Sequence, residues 1–453
     1  MTETRRPRRG LARRRLVLSA AGAAPLFGGA LCARAQAKAA PITIVINQSP
    51  WFDGFKKAVE IYEKESGNKV ELDVNPFAGS LEKQRNSVRA PRGQYDVLIM
   101  NSGWFAEMYF GGFCEAVTDI DPGFKLDPGV YTLNDTCFFN PADKSMTPKG
   151  KLYSMPVNPN IPLLYYRGDL YREAKLETPK TFDQLYANAK KLHAPPRMLG
   201  IVQRGARSAH SVAYDFYPYL YGFGGGLFRK PEAGDHTVTL NDEKGKAALD
   251  YYVKLAKDAG HPKTAAMDQV DVIQNLVTAR TAHAMMVIAA WPQMDDPTKS
   301  AVVDKMELAI PPAQPGFKSA PGLGHWLAGI SKNVPDDRKR GAVEFFRWFQ
   351  TGDAQIKHAE VGGTPVHRAA YEHPMSQERK YRWMKPMAEG LPLAVNIYNF
   401  PEAAEVIAVL ELGHNQTVAG ETTPVAALNT MADSIHKVMA SKGYNTGKLD
   451  PLR

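Results

Sequence analysis

The constraint that narrows this chain most is a strand–helix–strand–helix–strand succession in its first hundred residues. In the segment from Pro41 to Gln48, Ile42, Ile44 and Ile46 alternate and Val45 is also apolar, which predicts a strand buried on both faces. Asp53 can cap a following helix on which Phe55, Val59 and Tyr62 share one stripe, and Gly67 ends it. Lys69 to Val74 reads as a second strand, Leu81 to Arg89 as a short helix, and Tyr95 to Met100 as a third apolar strand. Strands that alternate with helices must cross over to pair, so the segment implies parallel βαβ units.

Later segments use the same grammar without repeating the sequence. Thr181 and Gln184 form a capping box before a helix that buries Phe182, Leu185 and Leu192. Further helices are expected over 242–259, closed by Gly260, over 337–349, and over 424–441, stopped by Gly443. Ala284 to Ala289 reads as a strand. The fold class is α/β.

The N-terminus speaks to destination. Arg13-Arg14-Arg15-Leu16-Val17-Leu18 opens an uncharged run to Ala33, followed by the small-x-small sites Ala33-Arg34-Ala35 and Ala35-Gln36-Ala37. A basic start, an apolar stretch and an Ala-x-Ala site make a secretory signal over residues 1–37, with a twin-arginine-like opening. Cleavage near Ala35 or Ala37 would deliver the chain to the periplasm. The alternative is an uncleaved anchor, against which the glycines and Pro25 weigh. Residues 1–37 hold eight arginines and one glutamate, so the net +9 of the whole chain falls to +2 beyond them. The basicity therefore belongs to the signal, and nucleic acid is set aside as a partner. Roughly 415 residues remain, a length that usually makes two domains.

Cys32 falls in the signal, and Leu31 before it does not suit a lipidation site. Cys114 and Cys137 would reach an oxidising compartment, where they form either a disulfide, stabilising by roughly 3 kcal/mol, or two buried thiols. No zinc spacing, nucleophile elbow, H-E-x-x-H or P-loop occurs. Gly222 to Gly226 lacks the last glycine of a dinucleotide fingerprint, Leu227 standing there, and reads as a turn. Scattered histidines, His210, His325 and His367 among them, and the acid pairs Asp295-Asp296 and Asp336-Asp337 fit hydrogen bonding and helix caps better than metal binding or acid–base work. No catalytic residue, metal site or cofactor is assigned.

Six segments in order then carry a resemblance. Tyr95 to Trp104 (YDVLIMNSGW), Leu163 to Ala174 (LLYYRGDLYREA), Leu176 to Leu192, Tyr219 to Phe228, Thr278 to Trp291, and His325 to Asn333 with Gly362 to Val366 resemble motifs of periplasmic solute-binding proteins of the extracellular family 1, maltose-binding-protein-like type. Arg167 and Ala279-Arg280 depart from the family's usual residues, which bears on ligand contacts. The resemblance implies a periplasmic-binding-protein type II-like fold, two α/β lobes on a hinge with a ligand cleft between them. One lobe would be 41–156 with 312–352 and the other 157–311 with 353–453, joined near Pro156-Val157, Ile310-Pro311 and Gly352. It also implies a non-enzymatic, monomeric component of an ABC importer that captures a sugar or polyol and hands it to membrane permease subunits.

A sugar presents C–H faces to aromatic rings and hydroxyls to amides, acids and arginines. Trp51, Trp104, Trp291 and Trp326 stand at or beyond predicted strand ends or in loops, where open α/β sheets bind ligands. Trp348 and Trp383 lie in helical patterns and read as core. Tyr217 is a further candidate stacker, although Tyr214 to Tyr221 also suits an aromatic core helix. The polar candidates are Gln48, Asn101, Asn158, Asn160, Asp215, His325 and Arg368, with Asn101 favoured by its place beside Trp104. The alternatives are a polyamine, organic acid or metal chelate as cargo, a periplasmic hydrolase or lyase, and an anchored adhesin or sensor partner.

Overall fold

The computed structural model describes residues 38–208 and 211–453. The expected signal over 1–37, Cys32 and His210 lie outside the described residues.

The first sheet follows from the opening succession. β1 (Ile42–Asn47), α1 (Phe52–Ser66), β2 (Val70–Asn75), α2 (Phe77–Arg89) and β3 (Val97–Asn101) form two parallel units, with β1 central between β2 and β3. α1 buries Phe55, Val59 and Tyr62 and ends on left-handed Gly67, whose N–H donates to the Glu63 carbonyl. Trp51 rather than Asp53 occupies the N-cap position, and no side chain caps the helix; Asp53 lies in the first turn. The α2 helix starts at Phe77, four residues before the expected Leu81, directly after Pro76, a residue tolerated there because it donates no N–H.

The strands that build the rest of the two main sheets are β4 (Cys114–Glu115), β5 (Ser154–Asn158), β6 (Pro162–Arg167), β7 (His283–Val287), β8 (Met306–Ala309) and β9 (Trp326–Ser331). β9 returns late in the chain to pair antiparallel with β3, β4 and β5, so the first lobe is completed by residues about 170 positions beyond β5. The second lobe is built on β7-β6-β8, all antiparallel, extended by the parallel bridges Leu199–Thr281 and Val202–Ala284. Around it pack α3 (Val212–Gly222), α4 (Gln269–Val277) and flanking helices that match expectation closely: Phe182–Leu192 with the Thr181–Gln184 capping box, Glu243–Ala259 capped by Asp242, and Pro424–Ser441. Gly222 to Gly226 ends α3 in a turn, with Gly224 in the left-handed region.

Three crossings join the two sheets. The first lies between Asn158 of β5 and Pro162 of β6, just after the expected Pro156-Val157. The second lies between Ala309 and Trp326 and contains the expected Ile310-Pro311. The third is corrected. α5 (Asp336–Phe349) is followed by α6 (Gly352–Glu360), which still packs on α1 and α5, and Arg368 N–H still donates to the Gly129 carbonyl of the first lobe at 2.9 Å. At Arg379, paired with Glu307 of β8 at 2.7 Å, the chain reaches the second sheet. The rings of α1 pack on α5, Phe55 against Phe349 at 5.9 Å and Tyr62 against Phe345 at 5.2 Å, and α6 follows α5 on the same lobe.

The contact between α1 and the loop after α6 is backbone to backbone. A Cβ at Gly54 would lie 2.7 Å from Gly363 Cα and 2.9 Å from the Gly362 carbonyl carbon. We expect Gly54→Ala to destabilise by about 1–3 kcal/mol, read from the urea midpoint, because two backbones must separate. A midpoint equal to wild type would mean that the loop retreats freely.

Candidate functional site

A cleft of about 930 Å³ opens between the lobes. Its first-lobe wall is the C-terminal end of the sheet. Asn47, Gln48, Ser49, Pro50 and Trp51 continue β1 into α1, Asn101 ends β3, Phe77 begins α2, and Trp326 begins β9. Register explains the grouping, since Trp326 stands opposite Asn101 on one side and Asn158 on the other. Its indole meets Trp51 at 5.5 Å, Trp104 at 5.7 Å and Phe77 at 5.9 Å, so one ring joins three others. The second-lobe wall comprises Ser208, Ser211, Tyr214, residues 268–270 and Gln274 at the start of α4, and Gln293, with Asn160 of the first crossing at the hinge.

Of the residues expected at a site, Gln48, Trp51, Asn101, Trp326 and Asn160 line this cleft. The others are placed outside this lining. Trp104 is buried against Phe77 and Trp326 and supports the wall from behind. Asn158 is enclosed within β5, where its amide has no partner among the described residues. Tyr217 faces the core, whereas Tyr214, one turn earlier on α3, faces the cleft. His325 is enclosed with Nε2 2.8 Å from Thr136 Oγ1, and burial pulls its pKa down to about 3, so it stays neutral. Arg368 lies over Tyr131 at 4.9 Å and donates to the Pro128 carbonyl at 2.9 Å. Trp291 lines a side crevice of about 330 Å³ with Tyr381 and Trp383, and the Arg382 guanidinium, itself paired with Asp295 at 2.6 Å, sits 4.5 Å from its ring. Asp215 lies behind the wall.

The possible disulfide is also corrected: Cys114 and Cys137 are free, buried thiols. Cys114 Sγ faces Met100 Sδ at 3.9 Å, Cys137 Sγ faces the Thr132 carbonyl at 3.7 Å, and burial pushes the Cys114 thiol up to about 12.

Several polar atoms along the cleft have no hydrogen-bond partner among the described residues: Asn47 Oδ1, Ser49 Oγ, Trp51 Nε1 and Ser211 Oγ. Buried groups of this kind are almost always satisfied by water or ligand. Asp53 and Lys57 of α1 also line the cleft, and the two other acids there are engaged. Asp268 accepts the Val270 and Asp271 N–H groups at 2.7 and 3.1 Å, and Asp296 takes the Thr298 hydroxyl at 2.6 Å and Lys299 at 3.5 Å. Among the described residues no group of three or more His, Cys, Asp or Glu is placed to hold a metal ion.

Behind Tyr214 the second lobe buries charge. Arg204 Nε and Asp215 Oδ1 are 3.5 Å apart, both side chains almost fully enclosed, and the Tyr252 hydroxyl donates to Asp215 at 2.7 Å. Burial pushes Asp215 up to about 6 and Glu411, 3% exposed, up to about 7. Carboxyls with raised folded pKa values bind protons more tightly folded than unfolded, so they stabilise fully below pH 4 and lose that contribution as pH rises through 6 and 7. The unfolding free energy of Glu411→Gln, relative to wild type, should therefore move in favour of the variant by about 2–3 kcal/mol between pH 5 and pH 8. A pH-independent difference in urea titrations would contradict this.

Similarity to known proteins agrees with the geometry. A protein of Deinococcus radiodurans named "Probable ABC transporter-binding protein" is 25% identical over 342 residues, 73% of this chain and 76% of that relative. A mannitol-binding protein of Pseudomonas aeruginosa is 24% identical over 273 residues, 58% of each chain. The structure of an ABC transporter solute-binding protein from Agrobacterium radiobacter K84 in complex with ribitol superimposes with a TM-score of 0.77 at 21% identity, covering 88% of this chain and 99% of the other. Two α/β lobes around a cleft are thus a shared type II periplasmic-binding-protein fold. Residues 47–356 match the bacterial extracellular solute-binding protein family, and the chain belongs to it.

Proposed function

We propose that this chain is the periplasmic substrate-binding component of an ABC importer, and that it captures a neutral sugar or polyol by hinge closure and delivers it to the membrane permease. The observation that carries the cargo is the cleft lining. Trp51, Trp326, Phe77 and Tyr214 offer ring faces, and Asn47, Gln48, Asn101, Asn160, Gln269, Gln274 and Gln293 offer amides. Rings suit C–H faces and amides suit hydroxyls, which both donate and accept. A charged cargo would call for several free charges of one sign, whereas Asp268 and Asp296 are bonded within their own loops and the other lining charges, Asp53, Lys57 and Lys299, are of mixed sign. A relative named mannitol-binding protein, and a protein of the same fold solved in complex with ribitol, support the same class. Closure would bring the two walls onto the solute and exclude water.

A thermal-shift panel on residues 38–453 tests this, with D-mannitol, ribitol, maltose, spermidine and citrate. A solute at a hundred times its dissociation constant stabilises by about 2.7 kcal/mol. A shift with a neutral carbohydrate is the expected result. A shift with spermidine or citrate alone overturns the cargo while leaving the family.

A further inference from the structure

The helix α7 (Ala403–Ala419) contributes no residue to the cleft lining, yet one of its faces ties down the second-lobe wall. The Glu411 carboxylate accepts the Ser208 N–H at 3.0 Å and the Ala213 N–H at 2.8 Å, from residues 203 and 198 positions away. One turn on, Asn415 donates to the Gly205 carbonyl at 2.7 Å and the Ala265 carbonyl at 2.9 Å. The Gly205 and Ala206 N–H groups in turn reach the Met267 carbonyl at 3.0 and 2.9 Å. The wall residues 204–208 and 211–214, with Ser208, Ser211 and Tyr214, and 265–270, with Asp268 and Gln269, are thereby fixed to one helix face and to each other.

Glu411 is a costly residue for packing alone. Burial pushes its carboxyl up to about 7, and the groups that face it compensate only in part. Arg204 attracts its charge but is shared with Asp215, and the buried Tyr398 hydroxyl and His414, which burial holds neutral at about 3, add no positive charge. An apolar side chain would fill the same space without desolvating a carboxylate. What a carboxylate alone offers is two acceptor oxygens for two backbone N–H groups of one loop.

We infer that Glu411 and Asn415 are positioning residues for solute capture, which hold Gly205 to Ser208 and Ser211 to Ala213 as a preformed wall of the cleft. This rests on the reading of the cleft as the capture site. Preformation spares the solute the entropy of ordering the loop, so it appears in affinity rather than in global stability.

The test uses Glu411→Gln and Asn415→Ala in residues 38–453. A glutamine has one acceptor oxygen and turns an NH₂ group toward the second N–H. Backbone exchange at Ser208 and Ala213 should quicken about tenfold at pH 8 in Glu411→Gln, the equivalent of one hydrogen bond. The D-mannitol dissociation constant should rise by about the same factor, while the thermal midpoint at pH 8 does not fall. Wild-type affinity should weaken as pH drops through about 7, and the glutamine variant should lose that dependence. Asn415→Ala should weaken D-mannitol binding without changing the pH profile. Unchanged exchange at Ser208 and Ala213 overturns the inference, as does quickened exchange with unchanged D-mannitol affinity. If wild type binds none of D-mannitol, ribitol and maltose, the cargo proposal fails, and the exchange result alone decides whether Glu411 holds the loop; if it binds ribitol or maltose instead of D-mannitol, the affinity is read with that solute.

Discussion

Trp326→Ala should cost about 3–5 kcal/mol of stability and abolish measurable carbohydrate binding. The ring is 4% exposed and is the junction at which Trp51, Trp104 and Phe77 meet. Its removal leaves a cavity below the cleft floor and frees Trp51 to turn from its orientation. Trp326→Phe keeps part of the ring and should retain most of the stability while weakening binding. Urea titration and D-mannitol calorimetry on both variants separate the two losses. An alanine variant with wild-type affinity would remove this cluster from the site.

Arg204→Met should destabilise by about 3–5 kcal/mol at pH 8, because it leaves the enclosed Asp215 carboxylate without its countercharge. The Tyr252 hydroxyl and the Arg204 backbone N–H remain, at 2.7 and 3.2 Å, but neither carries charge. The penalty should shrink at pH 5, where Asp215, already pushed up to about 6 in the wild type, takes a proton. Adding Asp215→Asn should recover much of the loss at pH 8, since the pair is coupled. Equal penalties at both pH values, with no recovery in the double variant, would mean that the guanidinium acts through packing against Tyr214, 5.4 Å away, rather than through charge.

The fold was legible where period and caps agree. β1, α1 and β3, the Thr181 capping box and the Pro424–Ser441 helix follow from residues within a few positions of each other. The third crossing was not legible, because α6 belongs to the first lobe through its contact with α1, some 300 residues earlier, and nothing local at Gly352 records it. The cleft was readable on the wall built from strand ends, which gave Gln48, Trp51, Asn101 and Trp326. Asn47 was available by the same rule, as the last residue of β1. The opposite wall was missed at Ser211 and at the start of α4, since a loop and a helix start in no fixed relation to a strand carry no positional signal. Tyr214 and Tyr217 illustrate the limit: both sit on one aromatic helix, and the packing of α3 against the second lobe decides which ring faces the cleft.

The measurement that bears most directly on the whole account is calorimetric titration of residues 38–453 with D-mannitol, maltose, spermidine and citrate, repeated on Trp51→Ala. Trp51 lines the cleft, meets Trp326 at a tilt with ring centroids 5.5 Å apart, and carries an indole N–H without an acceptor among the described residues. The account predicts saturable binding of a neutral carbohydrate, none of the charged solutes, and loss of that binding in Trp51→Ala. Binding of spermidine or citrate in place of the carbohydrates, or carbohydrate binding untouched by Trp51→Ala, would contradict it.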